Sequence, residues 1–258
     1  MRRVGWELIS ACMLFLSLEG CTPTAVVGTA PGGAPIVRVP LRLSNVHIIA
    51  TTRPVLVDAG TIGDMADLSN ALQDRKIYPR DLGLVVLTHG HADHAGLAYD
   101  LRKISGATLL MGAGDLPLAN AGENDVLKPT GFTGSALKPF ITSVYPSFVP
   151  DVAVKQGADV DLRPWGVDGK AIAMPGHTAG SIVVILSDDS AFVGDMMAGG
   201  VFGGAFSPSS PGEHYYQADP QQNRRNIKTL LDRGVKKFYL GHGGPVLRDD
   251  VIAAFSGG

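Results

Sequence analysis

Cysteine is nearly absent from this sequence of 258 residues, and both copies lie close to the N-terminus. Cys12 and Cys21 precede the first stretch that has the pattern of a folded domain. We therefore expect the domain to have no disulfide framework and no thiolate metal ligand. Any metal site in it must use histidine and carboxylate side chains.

The sequence also lacks a large net charge and a long apolar run. The formal net charge is -2, aromatic residues make up 7%, and no basic run carries interleaved aromatics. This composition argues against a nucleic-acid partner. The apolar stretch over residues 8–18 is too short to span a membrane, which takes about 20 apolar residues.

The N-terminus has the pattern of an export signal. Arg2 and Arg3 precede the apolar stretch, which ends in Leu-Glu-Gly-Cys and resembles a bacterial lipobox, with Glu19 where a small residue is usual. We predict a lipoprotein signal peptide over residues 1–20 and lipid attachment at Cys21. The protein would be exported, either periplasmic or anchored to a bacterial membrane as a lipoprotein. The alternative is an N-terminal helix that stays attached.

The pattern of the chain changes after this region. Residues 21–35 are mostly small residues, proline and glycine, which predicts a flexible tether. Residues 36–258 alternate short β-rich runs with stretches of helical periodicity, which predicts one α/β domain of two mixed sheets with helices outside. Two stretches, 112–150 and 196–219, have little periodicity. We expect them to be surface loops that carry substrate specificity.

A cluster of four metal-ligand side chains follows the apolar run at residues 84–87. His89 and His91 alternate at a strand end, so they can reach one metal ion together. Asp93 and His94 come at the following turn and can reach a second ion. Imidazole and carboxylate suit zinc, and also iron or manganese. A polar loop with surface histidines is the simpler alternative, and the spacing directly after a buried strand argues against it.

Three further candidates occur in matching contexts later in the chain. His177, Asp195 and His242 each follow a short apolar run and each have a glycine neighbour. Glycine lets the backbone turn sharply and approach a bound group closely. Any one of these residues alone would be an ordinary structural residue, but together with the first cluster they predict a site for two metal ions.

The ordered motifs THGHADHAG, PGHTAGS, FVGD and LGHGGP resemble those of the metallo-β-lactamase-fold hydrolase superfamily. The resemblance implies a four-layer αββα sandwich with the metals at one edge, between the sheets. It places the first metal on His89, His91 and His177, and the second on Asp93, His94 and His242. Asp195 would bridge both metals.

An aspartate at the bridging position is similar to the branch of glyoxalase II and the quorum-quenching lactonases, because β-lactamases of this fold usually carry a cysteine or a non-ligand there. Two features depart from that branch. Ala198 stands where the lactonases carry a tyrosine, and only sixteen residues follow His242, too few for the C-terminal helical region of glyoxalase II.

The resemblance implies a metal-dependent hydrolase with two divalent ions, zinc first, with iron and manganese left open. A hydroxide held in the dinuclear site would attack a small ester, thioester or lactone, and Asp93 would orient it and pass on its proton. The alternatives are a β-lactam hydrolase, an iron-dependent sulfur oxygenase and a metal-binding lipoprotein without turnover.

The remaining candidates have weaker sequence support. Asp58 matches a strand-end Asp-x-Gly of the family and would orient a metal ligand by a hydrogen bond, or else close a turn. His214, Tyr215 and Tyr216 are predicted to contact the small-molecule substrate, with ordinary loop residues as the alternative. His47 lies in a predicted strand, where we expect it to be a packed or exposed sheet residue and not a metal ligand.

Overall fold

The computed structural model describes residues 23–141 and 143–255. The predicted signal peptide and Cys21 lie outside the described residues. Within those residues, no helix is both long enough and apolar enough to cross a membrane.

Two β-sheets form the middle of the molecule. In the described residues the first sheet has seven strands, hydrogen-bonded in chain order: β1 (Ala25–Thr29), β2 (Pro35–Pro40), β3 (Asn45–Ile49), β4 (Val55–Val57), β5 (Leu84–Val86), β6 (Thr108–Gly112) and β7 (Val152–Val154). The strands from β1 to β4 pair antiparallel, and those from β4 to β7 pair parallel.

The second sheet has six strands in the same described ranges. Its strands are β8 (Asp159–Asp161), β9 (Gly169–Ala173), β10 (Ile182–Leu186), β11 (Ser190–Gly194), β14 (Lys237–Leu240) and β15 (Val246–Leu247), in the spatial order β15-β14-β11-β10-β9-β8. Strands β12 (Ala198–Val201) and β13 (Phe206–Gly212) form a separate antiparallel hairpin.

The α-helices lie outside the two sheets. The part of the chain that the structure describes contains α1 (Met65–Gln73), α2 (Ala92–Ala95), α3 (Ala98–Ser105), α4 (Leu116–Ala121), α5 (Phe132–Leu137), α6 (Pro220–Asp232) and α7 (Arg248–Phe255). Short 3-10 helices occupy some of the connections.

Three buried layers hold the four layers of elements together. Leu72 on α1 and Leu101 on α3 pack with alternate residues of the first sheet, such as Val85. The neighbouring residues of each strand, such as Val86, face the second sheet. Ile227 on α6 packs against the outer face of that sheet. This alternation follows from the two-residue period of a strand, and the predicted four-layer αββα sandwich is confirmed.

The predicted flexible tether is wrong for residues 25–35. Residues 25–29 form β1, which pairs with β2 through a turn at Gly32 and Gly33, both with positive φ. The small side chain of Gly28 lets Tyr239 pack against the strand, since a Cβ atom there would lie 2.0 Å from the tyrosine oxygen. The small residues of this stretch therefore allow a tight hairpin turn and close packing of the hairpin against the second sheet.

The two stretches expected to be surface loops contain more regular structure than predicted. The stretch 112–150 includes α4 and α5, and the stretch 196–219 includes the β12-β13 hairpin. Glycine and proline obscure the hairpin's period, although Gly200 and Gly204 adopt positive φ values that its bends require.

Candidate metal centre

The predicted ligands gather at one edge of the sandwich because each follows the carboxyl end of a strand. The segment from His89 to His94 follows β5 in the first sheet. His177, Asp195 and His242 follow β9, β11 and β14, which run in the same direction in the second sheet. The site is therefore built from both sheets, as the sequence resemblance implied.

The first three histidines bring their ring nitrogens to one point. His177 Nε2 lies 3.2 Å from His89 Nε2 and 3.1 Å from His91 Nδ1. Zinc–nitrogen bonds of about 2.0–2.1 Å in a tetrahedral arrangement separate neighbouring nitrogens by about 3.3 Å. The spacing thus fits a zinc-sized ion held by these three side chains.

The opposite nitrogen of each of these rings has a partner of its own. His177 Nδ1 contacts the Tyr216 carbonyl at 2.8 Å, and His89 Nδ1 contacts Thr88 Oγ1 at 3.1 Å. His91 Nε2 contacts Asp125 Oδ1 at 2.9 Å. Histidines that bind metals characteristically donate their second N–H in this way, which fixes the ring and frees the other nitrogen.

The second set consists of Asp93, His94, His242 and Asp195. His242 Nε2 lies 3.3 Å from both Asp93 Oδ2 and Asp195 Oδ2, and His94 Nε2 lies 3.5 Å and 3.4 Å from the same two oxygens. His94 Nε2 is buried and makes no hydrogen bond within the described residues. A buried imidazole nitrogen without a hydrogen bond is costly unless it serves another purpose, and metal binding would supply one.

Asp195 stands between the two sets. Its Oδ2 lies 3.3–3.4 Å from the nitrogens of His242 and His94, and 3.7–3.8 Å from those of His177 and His89. The preceding strand ends at Gly194, whose positive φ of 52° suits glycine and turns the chain into the site. A Cβ atom at Gly241 would lie 2.1 Å from Asp195 Oδ1, so glycine is required beside His242.

Asp58 contacts a ligand and its neighbour, as the sequence suggested. Its Oδ2 lies 3.0 Å from His94 Nδ1. Its Oδ1 accepts hydrogen bonds from the backbone N–H and the hydroxyl of Thr88, at 2.8 Å and 2.9 Å. The carboxylate therefore orients His94 directly and His89 through Thr88.

The charges of the site suit metal binding. Burial lowers the pKa of His89 and His177 well below the usual range, so both present a neutral imidazole at pH 7. Burial alone would raise the pKa of Asp195, but His94 and His242 hold it well below its usual range, so the carboxylate is ionised. Neutral imidazoles and ionised carboxylates are the forms that coordinate metal ions.

His94 and His242 carry protons whose positive charge balances the negative charge of the two carboxylates. Burial alone would lower the pKa of His94 and His242, but Asp195 and Asp93 raise both well above the usual range. A cation between the same side chains would provide that compensation and displace the two protons.

Asp115 and Asp125 were not found from the sequence. Asp115 is buried and accepts hydrogen bonds from Gly90 N at 2.8 Å, Thr178 Oγ1 at 2.7 Å and Gly180 N at 2.7 Å. It joins the loop of His89 and His91 to that of His177, while Asp125 orients His91. Both lie in the stretch expected to be irregular, and nothing local in the sequence marks their distant partners.

The three residues predicted to contact substrate have different surroundings. His214 is buried, with Nε2 3.3 Å from Asp195 Oδ2. Tyr215 accepts a hydrogen bond from Phe202 N at 2.8 Å, and Tyr216 donates one to Gly134 O at 2.7 Å. Only His214 directs its side chain at the predicted ligands. His47 is a sheet residue, as expected, and its side chain is buried, with its ring centroid 5.3 Å from that of Phe192.

Known proteins share this fold. BJP-1, a subclass B3 metallo-beta-lactamase of Bradyrhizobium japonicum, has a TM-score of 0.55 at 22% identity over 80% of this chain and 74% of its own. LRA-12, a class B3 di-zinc metallo-beta-lactamase from an Alaskan soil metagenome, has a TM-score of 0.58 at 15% identity over 81% of this chain and 76% of its own. At these identities the likeness shows the fold alone.

Sequence comparison identifies the family. The metallo-beta-lactamase fold-containing protein ST1585 of Sulfurisphaera tokodaii is 26% identical over 196 residues, which are 74% of this chain and 69% of that protein. The sequence model of the metallo-beta-lactamase superfamily matches residues 39–242, which carry all seven predicted ligands. The chain belongs to the metallo-beta-lactamase superfamily.

Proposed function

We propose that this protein is a hydrolase with two divalent metal ions that acts on a small ester, thioester or lactone. The observation that carries the proposal is the position of Asp195 Oδ2, within 3.3–3.8 Å of nitrogens from both sets of histidines. One oxygen shared between two ligand sets supports a dinuclear centre of the Asp-bridged type, to which glyoxalase II and the lactonases belong.

Zinc is the ion we propose for both positions. Five of the seven predicted ligands are histidines, and histidine nitrogen with carboxylate oxygen is a usual zinc donor set. The similar fold of LRA-12, described as a di-zinc enzyme, supports the same assignment. Iron and manganese accept these ligands too, so metal analysis of the protein from its own host decides among them.

Two such ions would lower the pKa of a shared water and polarise a carbonyl oxygen. The residues around them supply orientation and proton transfer. The side chain of Asp93 is 23% exposed, more than that of His242 at 12%, so it lies at the open side of the site. From there Asp93 would orient the attacking water and pass its proton to the leaving group.

The test is hydrolysis by the purified, zinc-loaded protein. Proton release is followed with matched lactone, thioester, ester and β-lactam substrates. We expect turnover of at least one of the first three and none of the β-lactam. Preference for the β-lactam would overturn the Asp-bridged assignment, and no turnover of any of them by protein with two bound zinc ions would contradict the proposed activity.

Asp93→Asn tests the role of the one residue assigned to proton transfer. We expect turnover to fall by about 100-fold or more, because general acid–base catalysis contributes on that order. Metal content is measured in the same samples, so that loss of a metal ion is separated from loss of catalysis. Full turnover with full metal content would contradict the role of Asp93.

We also propose that the protein is exported and lipidated at Cys21. The support is the sequence pattern of residues 1–20. Radiolabelled palmitate should label the wild type in its bacterial host and should not label Cys21→Ser. Equal labelling of both proteins, or no labelling of either, would contradict lipidation at this cysteine.

A further inference from the structure

His214 enters the metal centre from a segment outside the four ligand motifs. Its Nε2 lies 3.3 Å from Asp195 Oδ2, the same distance as that from His242 Nε2 to this oxygen. The His214 ring centroid is 4.9 Å from that of His177 and 5.2 Å from that of His242. The nitrogen therefore lies as close to the shared oxygen as a predicted ligand does.

The segment around His214 is fixed by contacts with the stretch before and within α5. Thr130 Oγ1 donates a hydrogen bond to the His214 carbonyl at 2.8 Å, and the Tyr216 hydroxyl donates one to Gly134 O at 2.7 Å. The imidazole is buried. Its approach to Asp195 is thus set by packing on both sides of the residue.

One carbonyl holds both His177 and His214. The Tyr216 oxygen lies 2.8 Å from His177 Nδ1 and 3.2 Å from His214 Nδ1. A carbonyl oxygen has two lone pairs and can accept from both rings. His214 then presents Nε2 to the site just as His177 does, and a backbone carbonyl on the opposite nitrogen is the usual support of a metal-binding histidine.

The geometry points to His214 as a further metal ligand, whose Nε2 coordinates a metal ion together with His177 and Asp195. The ligand atoms of these three residues lie within 4.8 Å of one another. This inference rests on the proposed two-metal centre but not on its substrate. It gives the protein an eighth ligand, supplied by a residue that none of the four ligand motifs includes.

Metal coordination by His214 requires the tautomer that carries its proton on Nδ1. The Tyr216 backbone N–H also approaches His214 Nδ1, at 3.3 Å, and would favour the proton on Nε2. That tautomer would direct an N–H at Asp195 Oδ2, whose lone pairs are committed to two cations in the proposed centre. Proton placement on Nδ1, donating to Tyr216 O, leaves the Nε2 lone pair free for a metal ion.

Nuclear magnetic resonance of the full chain loaded with cadmium-113 tests this directly. One-bond coupling between cadmium-113 and nitrogen-15 identifies each coordinating imidazole nitrogen. We expect couplings to His214 Nε2 and His177 Nε2 from the same cadmium ion. Coupling to the five other predicted histidine ligands without His214, or a protonated His214 Nε2, would overturn the inference.

His214→Gln provides an independent readout, because glutamine keeps an N–H donor but is a poor metal ligand. We expect zinc affinity at one of the two positions to fall by about 10- to 100-fold, a range typical even of lost supporting contacts. His47→Gln makes the same change at a buried histidine outside the site and should leave zinc affinity unchanged. Unchanged affinity in His214→Gln would overturn the inference.

These measurements separate the failure of this inference from the failure of the proposed function. Neither uses turnover, so a wild type that binds two metals and hydrolyses nothing still tests His214. A wild type that binds a single ion contradicts the proposed dinuclear hydrolase, and coupling of that ion to His214 still decides on the ligand.

Discussion

At the scale of single residues, the centre depends most on the carboxylate of Asp195. We expect Asp195→Asn to reduce the zinc content from two ions per chain to at most one, because a neutral amide oxygen cannot balance two cations. Turnover should fall by about 100-fold or more, since the second metal contributes to activating the water. Metal analysis by mass spectrometry after gel filtration measures the first effect.

The matched control is Asp67→Asn, an identical change at an exposed position on α1. It should keep both ions. Two ions in Asp195→Asn would show that the oxygen between the two ligand sets is dispensable, and would contradict the bridging role.

Asp58 allows a second test at this scale, because asparagine fits its backbone. Asp58 has a φ of 67°, in the left-handed region that asparagine tolerates better than most residues. We expect Asp58→Asn to weaken zinc binding by about 10- to 100-fold, since the charged acceptor for His94 Nδ1 is lost. Competition with a chelating dye measures the affinity, and affinity equal to the wild type would show that the contact does not orient His94.

At the scale of elements, Asp115 connects the segments that carry the first three ligands. Asp115→Ala leaves the buried N–H groups of Gly90 and Gly180 without their acceptor, which should destabilise the metal-free protein by about 3 kcal/mol. Urea denaturation measures the free energy of unfolding. Thr178→Ser keeps the hydroxyl donor to Asp115 and should cost far less, so equal losses in the two variants would contradict this role.

The elements also show how much the sequence could predict. The strands that end at the ligands are short apolar runs, so β5, β9, β11 and β14 and the seven ligands after them could be predicted from the sequence. β1 and the β12-β13 hairpin were not, because glycine, proline and serine give no two-residue period. Asp125 and Asp115 depend on partners 34 and 25 residues away in the chain, and such pairings arise only in the folded molecule.

At the scale of the whole molecule, metal ions would join the two sheets, because each sheet supplies ligands. Removal of metal with a chelator should therefore lower the melting temperature, and added zinc should restore it. Zinc at about 100 times its dissociation constant should stabilise the fold by about 2.7 kcal/mol per site. Scanning calorimetry measures the shift, and a melting temperature unaffected by chelator would argue against metal bound at this interface.

The stability of the whole molecule should also depend on pH through His47. This residue is packed between the sheets against Phe192 and Tyr239. Burial lowers its pKa from 6.5 to about 3, with Arg38 contributing. The unfolded chain takes up the proton first, so stability is retained above pH 6.5 and is lost as the pH falls from 6.5 towards 3. This histidine alone contributes a slope of up to about 1.4 kcal/mol per pH unit.

Comparison of the wild type with His47→Gln isolates that slope from those of the other buried groups. Urea denaturation of both metal-free proteins between pH 7 and about pH 4 should give a shallower loss of stability for the variant. Parallel curves would show that His47 becomes charged in the folded protein without penalty.

Anomalous diffraction at the zinc edge, from crystals of the zinc-loaded protein, would locate the metal ions themselves. We predict two peaks about 3.5–4 Å apart, one at His89, His91 and His177 and the other at Asp93, His94 and His242, with Asp195 Oδ2 between them. A single peak, or two peaks with Asp195 turned away from both, would contradict the Asp-bridged dinuclear centre.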